Sequence, residues 1–240
     1  MTDADLIAAL VAAQRNGTHD VDAASYAALD RAAAYRVQTG VLTALGETPG
    51  LLKTAVHPDG VGAAAPIYAS RVGYAPNFQL PSANVIGLEV EVGVVLGKAL
   101  PAGADETQVR GAIDHYFLGV EICGSRYRDR SVAGPAGGLA DSMSALGYTI
   151  GPTRTLGGSI DGLEVRLSFD GRELHAAPAK HGFGSVLASV IAYARNQYGS
   201  YPLVGGTIIT TGSLCGMLPA SGPGHVTASL GHETMEFDIV

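Results

Sequence analysis

The chain has 240 residues, 47% of them hydrophobic and 15% charged, and a formal net charge of −7. This composition supports a sizeable buried core and excludes a disordered chain, and the acidic excess argues against nucleic-acid binding, which needs clustered Lys and Arg. No apolar stretch approaches the ~18 residues of a membrane span, and the first residues lack the positive charge of a signal peptide. We therefore expect a cytoplasmic protein whose two cysteines, Cys123 and Cys215, are reduced thiols.

The first part of the chain predicts helices. Residues 3–15 carry Leu6 and Leu10 at helical spacing, and an Asn-Gly pair follows them as a stop signal. Residues 22–45 read as a longer, Ala-rich helix that ends before a glycine. We therefore predict a helical N-terminal region within residues 1–75.

From about residue 50 the sequence changes to short apolar segments separated by Gly and Pro, which are typical of strands. Strands are predicted at 51–56, 88–97, 117–123, 146–151, 163–171, 207–213, 225–231 and 234–240. Further helices are predicted at 105–115 and 184–198, and Asp170-Gly171 predicts a tight hairpin turn. Because strands and helices do not alternate regularly, we predict an α+β fold with a curved, mixed sheet.

The segment GLEVEVGVVLG, residues 87–97, carries two carboxylates in an apolar strand. Glu89 and Glu91 are two positions apart, so they share one face, with Cβ atoms roughly 7 Å apart. A single glutamate is commonly explained by a solvated face or a salt bridge. Two like charges in apolar surroundings repel each other, and burial increases that cost. A divalent cation would remove both problems.

A third carboxylate, Glu121, lies in the apolar segment FLGVEIC, residues 117–123. Three carboxylates from two strands would make an open Mg2+ or Mn2+ site, with other positions left to water or substrate. Sites built on His or Cys are poorer alternatives, because the seven histidines form no HxH or HExxH pattern and the two cysteines are far apart.

Four segments, in their order along the chain, resemble a known family. They are GLEVEVGVVLGKALP, VEICGSRYRD, LADSMSALGYTIG and GTIITTGSLCGMLPASGPGHVTASLG. These segments are similar to those of the 2-hydroxypenta-2,4-dienoate (2-keto-4-pentenoate) hydratases and the related 4-oxalocrotonate decarboxylases. Both groups belong to the fumarylacetoacetase superfamily. The resemblance covers nearly the whole chain. It implies a helical region over residues 1–75, then a curved mixed β-roll over residues 76–240 to which the Lys53 strand contributes, and a homo-oligomer.

The resemblance also implies roles for individual residues. The family's Mg2+ or Mn2+ ligands fall on Glu89, Glu91 and Glu121. A lysine taken as an acid/base or substrate-binding group falls on Lys53, and a motif aspartate falls on Asp141. We take Lys53 and Asp141 as the catalytic acid/base pair. The sequence departs from the family pattern after Lys53, where it reads LLKTAVHPDGVGA, and not at the metal ligands.

The predicted substrate contacts are Ser125, Arg126, Thr211, Gly212 and Ser213. Arg126 could bind a substrate carboxylate through its fork of donors or pair with an acid of the protein itself. Ser125 could donate a hydrogen bond to the ligand or only shape a turn, and Gly212 could offer its backbone or only permit a turn. Cys123 is expected to be a small buried thiol, and His181 is expected in a solvated loop.

The resemblance implies a small 2-oxo acid as substrate. Such an acid chelates a divalent ion, which stabilises negative charge on the 2-oxygen. We predict a hydratase that adds water to a 2-hydroxy-2,4-dienoate and gives a 4-hydroxy-2-oxo acid. A decarboxylase of a 2-oxo diacid such as 4-oxalocrotonate is the alternative, which basic groups at the distal end of the pocket would favour. A non-catalytic protein that binds a metal and an oxo acid, or that partners an active subunit, is a third.

Overall fold

The structure is a computed structural model that describes residues 2–152 and 159–240. The α-helices are α1 (Asp3–Asn16), α2 (Arg31–Leu45), α3 (Glu106–Arg110), α4 (Gly134–Ala140) and α5 (Ala188–Arg195). The strands are β1 (Pro49–Val56), β2 (Gly62–Tyr68), β3 (Val72–Tyr74), β4 (Gln79–Leu80), β5 (Val85–Leu96), β6 (Ile113–Gly124), β7 (Ala145–Ile150), β8 (Glu164–Phe169), β9 (Arg172–Pro178), β10 (Ile208–Ser213), β11 (Leu218–Pro219), β12 (Gly224–Leu230) and β13 (Glu233–Ile239). None of the described helices is long and apolar enough to cross a membrane.

Two sheets form the body of the molecule. The main sheet has the order β2-β1-β10-β5-β6-β7-β3, with β11 beside β5, and the second has the order β4-β13-β12-β8-β9. The main sheet is mixed, because β1 pairs with β10 and β3 with β7 in parallel while the other pairs are antiparallel. Strands β2 and β7 also pack against each other, so the main sheet curls into a roll. The predicted α+β fold with a curved, mixed β-roll is confirmed.

The predicted helix over residues 22–45 is wrong in its first part. A short 3-10 turn occupies Ala23–Tyr26, and α2 begins only at Arg31. An aspartate caps each start: the Asp22 carboxylate accepts from the Ala24 amide, and the Asp30 carboxylate accepts from the Ala33 amide. Because Asp at an N-cap satisfies free amides at a helix start, two such residues divide the segment.

The predicted helices at 105–115 and 184–198 are too long. Helix α3 ends at Arg110 and is followed by β6, which pairs with β5 along nearly its whole length. Helix α5 begins only at Ala188, after a turn that holds Gly184 at φ 83°. In both cases sheet pairing or turn geometry overrides a local helical pattern.

The predicted helical region over residues 1–75 is helical only as far as Leu45. Strands β1, β2 and β3 lie within it and belong to the main sheet, so the edge of the sheet does not coincide with residue 75. The strand β1 contributes Lys53 to the roll, as the sequence predicts. Helices α1 and α2 pack against each other, and α2 also packs against α4.

Two glycines allow aromatic rings to fill one end of the roll. A Cβ at Gly93 would collide with the Phe117 ring, and a Cβ at Gly119 would collide with the Tyr148 ring. These rings pack edge to face with centroids 6.3 Å apart. They form an apolar cluster with Leu51, Ile67, Ala145 and Ile150. Side chains two positions apart in a strand share one face. Further along β1, β5 and β6, this alternation puts charged side chains on the inner face of the roll.

Candidate metal centre

Strands β5 and β6 bring two of the predicted metal ligands together. In this antiparallel pair Glu89 lies directly opposite Glu121, and Glu91 lies opposite Gly119. Glu91 and Glu121 are fully buried, while the Glu89 side chain keeps 17% of its exposure. Because residues two apart share a strand face, all three carboxylates point to the inner face of the roll.

The curl of the sheet brings the Lys53 ammonium to these carboxylates. Its Nζ donates to Glu121 Oε1 at 2.5 Å and lies 3.9 Å from Glu89 Oε2. It also donates to the backbone carbonyl of Met143 at 3.1 Å. Burial lowers the pKa of Lys53, but Glu121 and Glu89 outweigh burial and raise that pKa above its ordinary value. The ammonium is therefore charged at neutral pH.

Three buried carboxylate oxygens have no hydrogen-bond partner among the residues that the structure describes. They are both oxygens of Glu91 and Oε2 of Glu121. Burial, with the charges of Glu121 and Glu89, raises the pKa of Glu91 well above its ordinary value, although Lys53 and the neighbouring Gly212 amide oppose that rise. Burial also raises the pKa of Glu121 to about 7, although Lys53 works against that rise. Buried carboxylates are normally paired or bound to a cation, so this arrangement fits a divalent ion.

The sequence predicts Cys123 as a small buried thiol, and the structure places it with two of the three glutamates, Glu89 and Glu121. Donor atoms of Glu89, Glu121 and Cys123 all lie within 4.8 Å of one another. The Cys123 Sγ is 3.7 Å from Glu121 Oε1. Burial, with the Glu89 and Glu121 carboxylates, raises the pKa of Cys123 well above its ordinary value, so the thiol is neutral without a cation. The sequence signal was the spacing of two residues between Glu121 and Cys123.

Asp141, Arg126 and Ser125 form a separate buried network. The Arg126 Nε donates to Asp141 Oδ1 at 2.5 Å, and the Ser125 hydroxyl donates to Asp141 Oδ2 at 2.8 Å. Of the two interpretations of Arg126, the pair with an acid of the protein is therefore the one that forms. Burial raises the pKa of Asp141 despite the opposing Arg126 charge. The catalytic role of Asp141 and the substrate contacts of Ser125 and Arg126 stay predictions.

This network fixes a strained segment beside Lys53. Ser142, Met143 and Ser144 have φ angles of 51°, 53° and 61°, the left-handed region that costs non-glycine residues roughly 1–2 kcal/mol each. Arg126 holds both ends, because its Nη2 donates to the Asp141 carbonyl at 2.7 Å and its Nη1 to the Ala145 carbonyl at 3.4 Å. The strained backbone thereby presents the Met143 carbonyl to Lys53.

The predicted contacts on β10 lie beside Glu91. Ser213 is paired with Glu91 after a register shift that begins at Thr210. The Thr211 hydroxyl donates to the Val92 carbonyl at 2.6 Å, so its hydrogen is engaged within the sheet. Ser213 is half-buried, and its hydroxyl donates to the Gly216 carbonyl at 3.1 Å. Whether these residues contact a substrate stays a prediction.

The sequence indicates a solvated loop for His181, and this is wrong. The residue is buried, with only 5% of its surface exposed. Its Nδ1 accepts from the Phe183 amide at 3.1 Å, so Nε2 carries the proton and faces the Thr211 hydroxyl at 3.3 Å. Burial lowers the pKa of His181 to about 4, which keeps the ring neutral. The His181 and Phe183 rings lie against Gly212, where a side chain would meet both.

Comparison with known proteins agrees with this architecture. Residues 61–237 match the family described as fumarylacetoacetate (FAA) hydrolase C-terminal. A 4-oxalocrotonate decarboxylase from a Pseudomonas species is 29% identical over 108 residues, a segment that spans 45% of this chain and 42% of that enzyme.

Solved structures extend the likeness in fold to the whole chain. The 4-oxalocrotonate decarboxylase from Pseudomonas putida G7, complexed with calcium and acetate, superposes with a TM-score of 0.81 at 19% identity and covers 100% of this chain and 99% of its own. Fumarylpyruvate hydrolase from Pseudomonas aeruginosa, in complex with Mn2+ and pyruvate, superposes with a TM-score of 0.53 at 16% identity over 77% of this chain and 79% of its own. The family match covers well over half of the sequence, and this chain belongs to the fumarylacetoacetate hydrolase C-terminal family.

Proposed function

We propose that this protein is a divalent-metal-dependent lyase that decarboxylates an unsaturated 2-oxo diacid. The observation that carries the proposal is the charged Lys53 ammonium, which donates to Glu121, near three carboxylate oxygens of Glu91 and Glu121 that have no hydrogen-bond partner among the described residues. The similarity to a 4-oxalocrotonate decarboxylase supports the reaction. The calcium and magnesium complexes of the Pseudomonas putida G7 decarboxylase support the cofactor class.

Glu89, Glu91 and Glu121 would hold the metal, which is Mg2+ or Mn2+ because both accept oxygen ligands. When bound, the metal supplies Lewis-acid stabilisation of negative charge on the 2-oxygen of a chelated 2-oxo acid. The two buried glutamates must lose any proton they carry before they can ligate a cation. Their raised pKa values in the metal-free protein are the electrostatic cost that a bound cation removes.

Lys53 is the proton donor in this proposal. When the carbon–carbon bond to the leaving carboxylate breaks, CO2 departs. The electron pair of that bond moves through the conjugated chain to the 2-oxygen. The Lys53 ammonium then gives its proton to that oxygen, which yields a 2-hydroxydienoate. Sharing Glu89 and Glu121 with a cation would lower the pKa of Lys53 toward its ordinary value and ease release of the proton.

The groups that are free to move protons support decarboxylation over hydration. Hydration needs a base that takes a proton from water, whereas decarboxylation needs only an electron sink and an acid. Asp141, the predicted partner of Lys53, already accepts from Arg126 and Ser125. This engagement favours decarboxylation. Hydration of a 2-hydroxy-2,4-dienoate is the second candidate, because it uses the same electron sink and fits the sequence resemblance.

A diacid substrate is favoured by an arginine that contacts Ser144, in the strained segment whose Met143 carbonyl accepts from Lys53. A cavity of about 400 Å3 is lined by Arg130, Met143 and Ser144 among others. The exposed Arg130 reaches the Ser144 hydroxyl with its Nη1 at 3.1 Å. An arginine fork in this position suits recognition of a second carboxylate.

Product analysis by NMR tests the proposal. Metal-stripped protein is mixed with 4-oxalocrotonate and, separately, with 2-hydroxypenta-2,4-dienoate, with and without Mg2+. We expect Mg2+-dependent loss of CO2 from the first compound. Mg2+-dependent formation of 4-hydroxy-2-oxopentanoate from the second, without CO2 loss from the first, would identify a hydratase instead. Tight binding of an oxo acid without turnover of either compound would identify a non-catalytic binding protein.

A further inference from the structure

We propose that Cys123 is a metal ligand, and that its thiolate lets this centre bind thiophilic divalent ions such as Zn2+, Co2+ or Cd2+ in addition to Mg2+ or Mn2+. The inference rests on the proposed metal function and concerns the same centre. It adds a sulfur donor to a site that the sequence predicts as carboxylate only. Such a donor changes which ions the protein selects.

The position of the thiol on β6 carries the first step. Cys123 follows Glu121 by two residues, so both side chains emerge on the inner face of the roll. Its partner across the strand pair is Gly87, which has no side chain to separate the thiol from Glu89. Cys123 is only 2% exposed, so its thiol is shielded from solvent.

The distances carry the second step. A zinc ion with a sulfur ligand at about 2.3 Å and a carboxylate oxygen at about 2.1 Å places those two atoms roughly 3.6 Å apart in tetrahedral geometry. The Cys123 Sγ and Glu121 Oε1 are 3.7 Å apart. The Glu89 donor atom lies within 4.8 Å of both. These three donors can therefore reach one ion without movement of the strands, provided that the Lys53 ammonium shares or releases Glu121 Oε1.

The partnerless oxygens carry the third step. Glu121 Oε2 and both oxygens of Glu91 are buried and receive no hydrogen bond from the part of the chain that the structure describes. Lys53 donates to the other oxygen of Glu121, so these oxygens favour an additional cation at the cluster independently of the thiol. Soft thiolate selects Zn2+ and similar ions, whereas carboxylate alone suits Mg2+ and Mn2+. Ligation releases the thiol proton to solvent, and the sulfur's lone pair forms the bond to the ion.

Cobalt titration of the metal-stripped, full-length protein tests the inference. A thiolate bound to Co2+ gives an intense charge-transfer absorption in the near ultraviolet, which carboxylate ligands do not give. We expect this band in the wild-type protein and in Cys215→Ser, the matched control at the other, half-buried thiol. We expect its loss in Cys123→Ser and Cys123→Ala. Cd2+ affinity should fall at least about 10-fold in both Cys123 variants, while Mg2+ affinity stays unchanged.

The outcomes separate this inference from the proposed function. Binding of Co2+ and Mg2+ to the wild-type protein without a charge-transfer band overturns the thiolate ligand and leaves the carboxylate centre standing. A band that survives in Cys123→Ser overturns it as well, since the sulfur would then lie elsewhere. Failure of the wild-type protein to bind any divalent ion overturns the proposed function itself. Because two of these outcomes use only wild-type protein, a poorly folding variant does not block the test.

Discussion

At the scale of single residues, Glu91 differs from the other charged groups of the centre. Glu121 is paired with Lys53, whereas both Glu91 oxygens lack a partner among the described residues. A buried carboxylate in that state is destabilising for the metal-free protein and attractive to a cation. Function and stability therefore conflict at this residue.

We expect Glu91→Gln to fold normally and to lose metal-dependent stabilisation, because it keeps the side-chain shape and removes the negative charge. Wild-type protein should gain about 2.7 kcal/mol of unfolding free energy at a Mg2+ concentration 100 times its Kd, and the variant almost nothing. Thermal unfolding with and without Mg2+ measures the difference. Glu106→Gln, at an exposed helical glutamate, is the control. Equal stabilisation of both variants would remove Glu91 from the metal centre.

Lys53→Met separates proton transfer from metal binding. The substitution keeps the length of the side chain and removes the proton, so turnover should fall roughly 10²- to 10⁴-fold. Metal affinity should not fall, since the ammonium repels a cation held by Glu121 and Glu89. Steady-state kinetics and calorimetric titration with Mg2+ test both parts. Lys98→Met, at an exposed lysine, should change neither. A non-catalytic protein would show no kinetic effect at Lys53.

At the scale of elements, the segment between α4 and β7 connects the Asp141 network to the centre. Its three left-handed residues are followed directly by Ala145, where β7 begins. Backbone in this strained conformation persists only where surrounding contacts hold it in place. Arg126 supplies that constraint, since it binds the carboxylate and carbonyl of Asp141 as well as the Ala145 carbonyl.

Asp141→Asn should therefore act mainly on stability. It leaves the buried Arg126 charge without its partner, which costs about 3–5 kcal/mol. Denaturant unfolding measures this loss, and Asp129→Asn, at an exposed cap, should change stability little, since Asn caps a helix start about as well as Asp. The folded fraction of the Asp141 variant should keep the shape of its pH–rate profile. A lost limb of that profile would show that Asp141 exchanges protons with the substrate.

The cavity beside this segment predicts a specificity effect. Arg130→Gln should raise KM for a 2-oxo diacid up to about 5-fold, because it removes an ion pair worth up to about 1 kcal/mol at an exposed side chain. KM for a mono-acid should not change. Arg128→Gln is the matched control, since Arg128 is exposed nearby and donates to the Asp20 carbonyl. Parallel changes with both acids would mean that Arg130 supports the fold and does not read the second carboxylate.

Local sequence signals gave some of these elements and not others. The Asp170-Gly171 turn was predictable because both residues adopt left-handed φ angles, 51° and 77°, that this pair favours. Strand β2, GAAAPIY, was missed because Ala and Pro have weak strand preference, and its pairing with β1 and its burial decide its structure. The three glutamates were predictable because carboxylates are conspicuous in apolar strands. The contact between His181 and Thr211 was not, because it joins residues 30 positions apart.

At the scale of the whole molecule, the roll gathers carboxyl groups in its interior, although the chain as a whole is already acidic. The two buried carboxyl groups, Glu91 and Glu121, have folded-state pKa values above the ordinary value of 4.5, and that of Glu121 is about 7. The folded, metal-free protein therefore holds protons that the unfolded chain releases. Its stability should fall as pH rises from about 4.5 through 7, because proton binding favours the folded state over that window.

A metal reverses this dependence, because only deprotonated carboxylates ligate it. The increase in Tm caused by saturating Mg2+ should thus grow from about pH 5.5 to about pH 8. Asp141 also has a raised pKa, but it lies in a separate network. Its titration should therefore change the stability of the metal-free and metal-bound proteins alike, and it cancels from the increase in Tm. Calorimetry across this range tests the expectation, and Glu121→Gln should flatten the dependence. An increment that is the same at every pH would mean that the buried glutamates are already ionised in the metal-free protein.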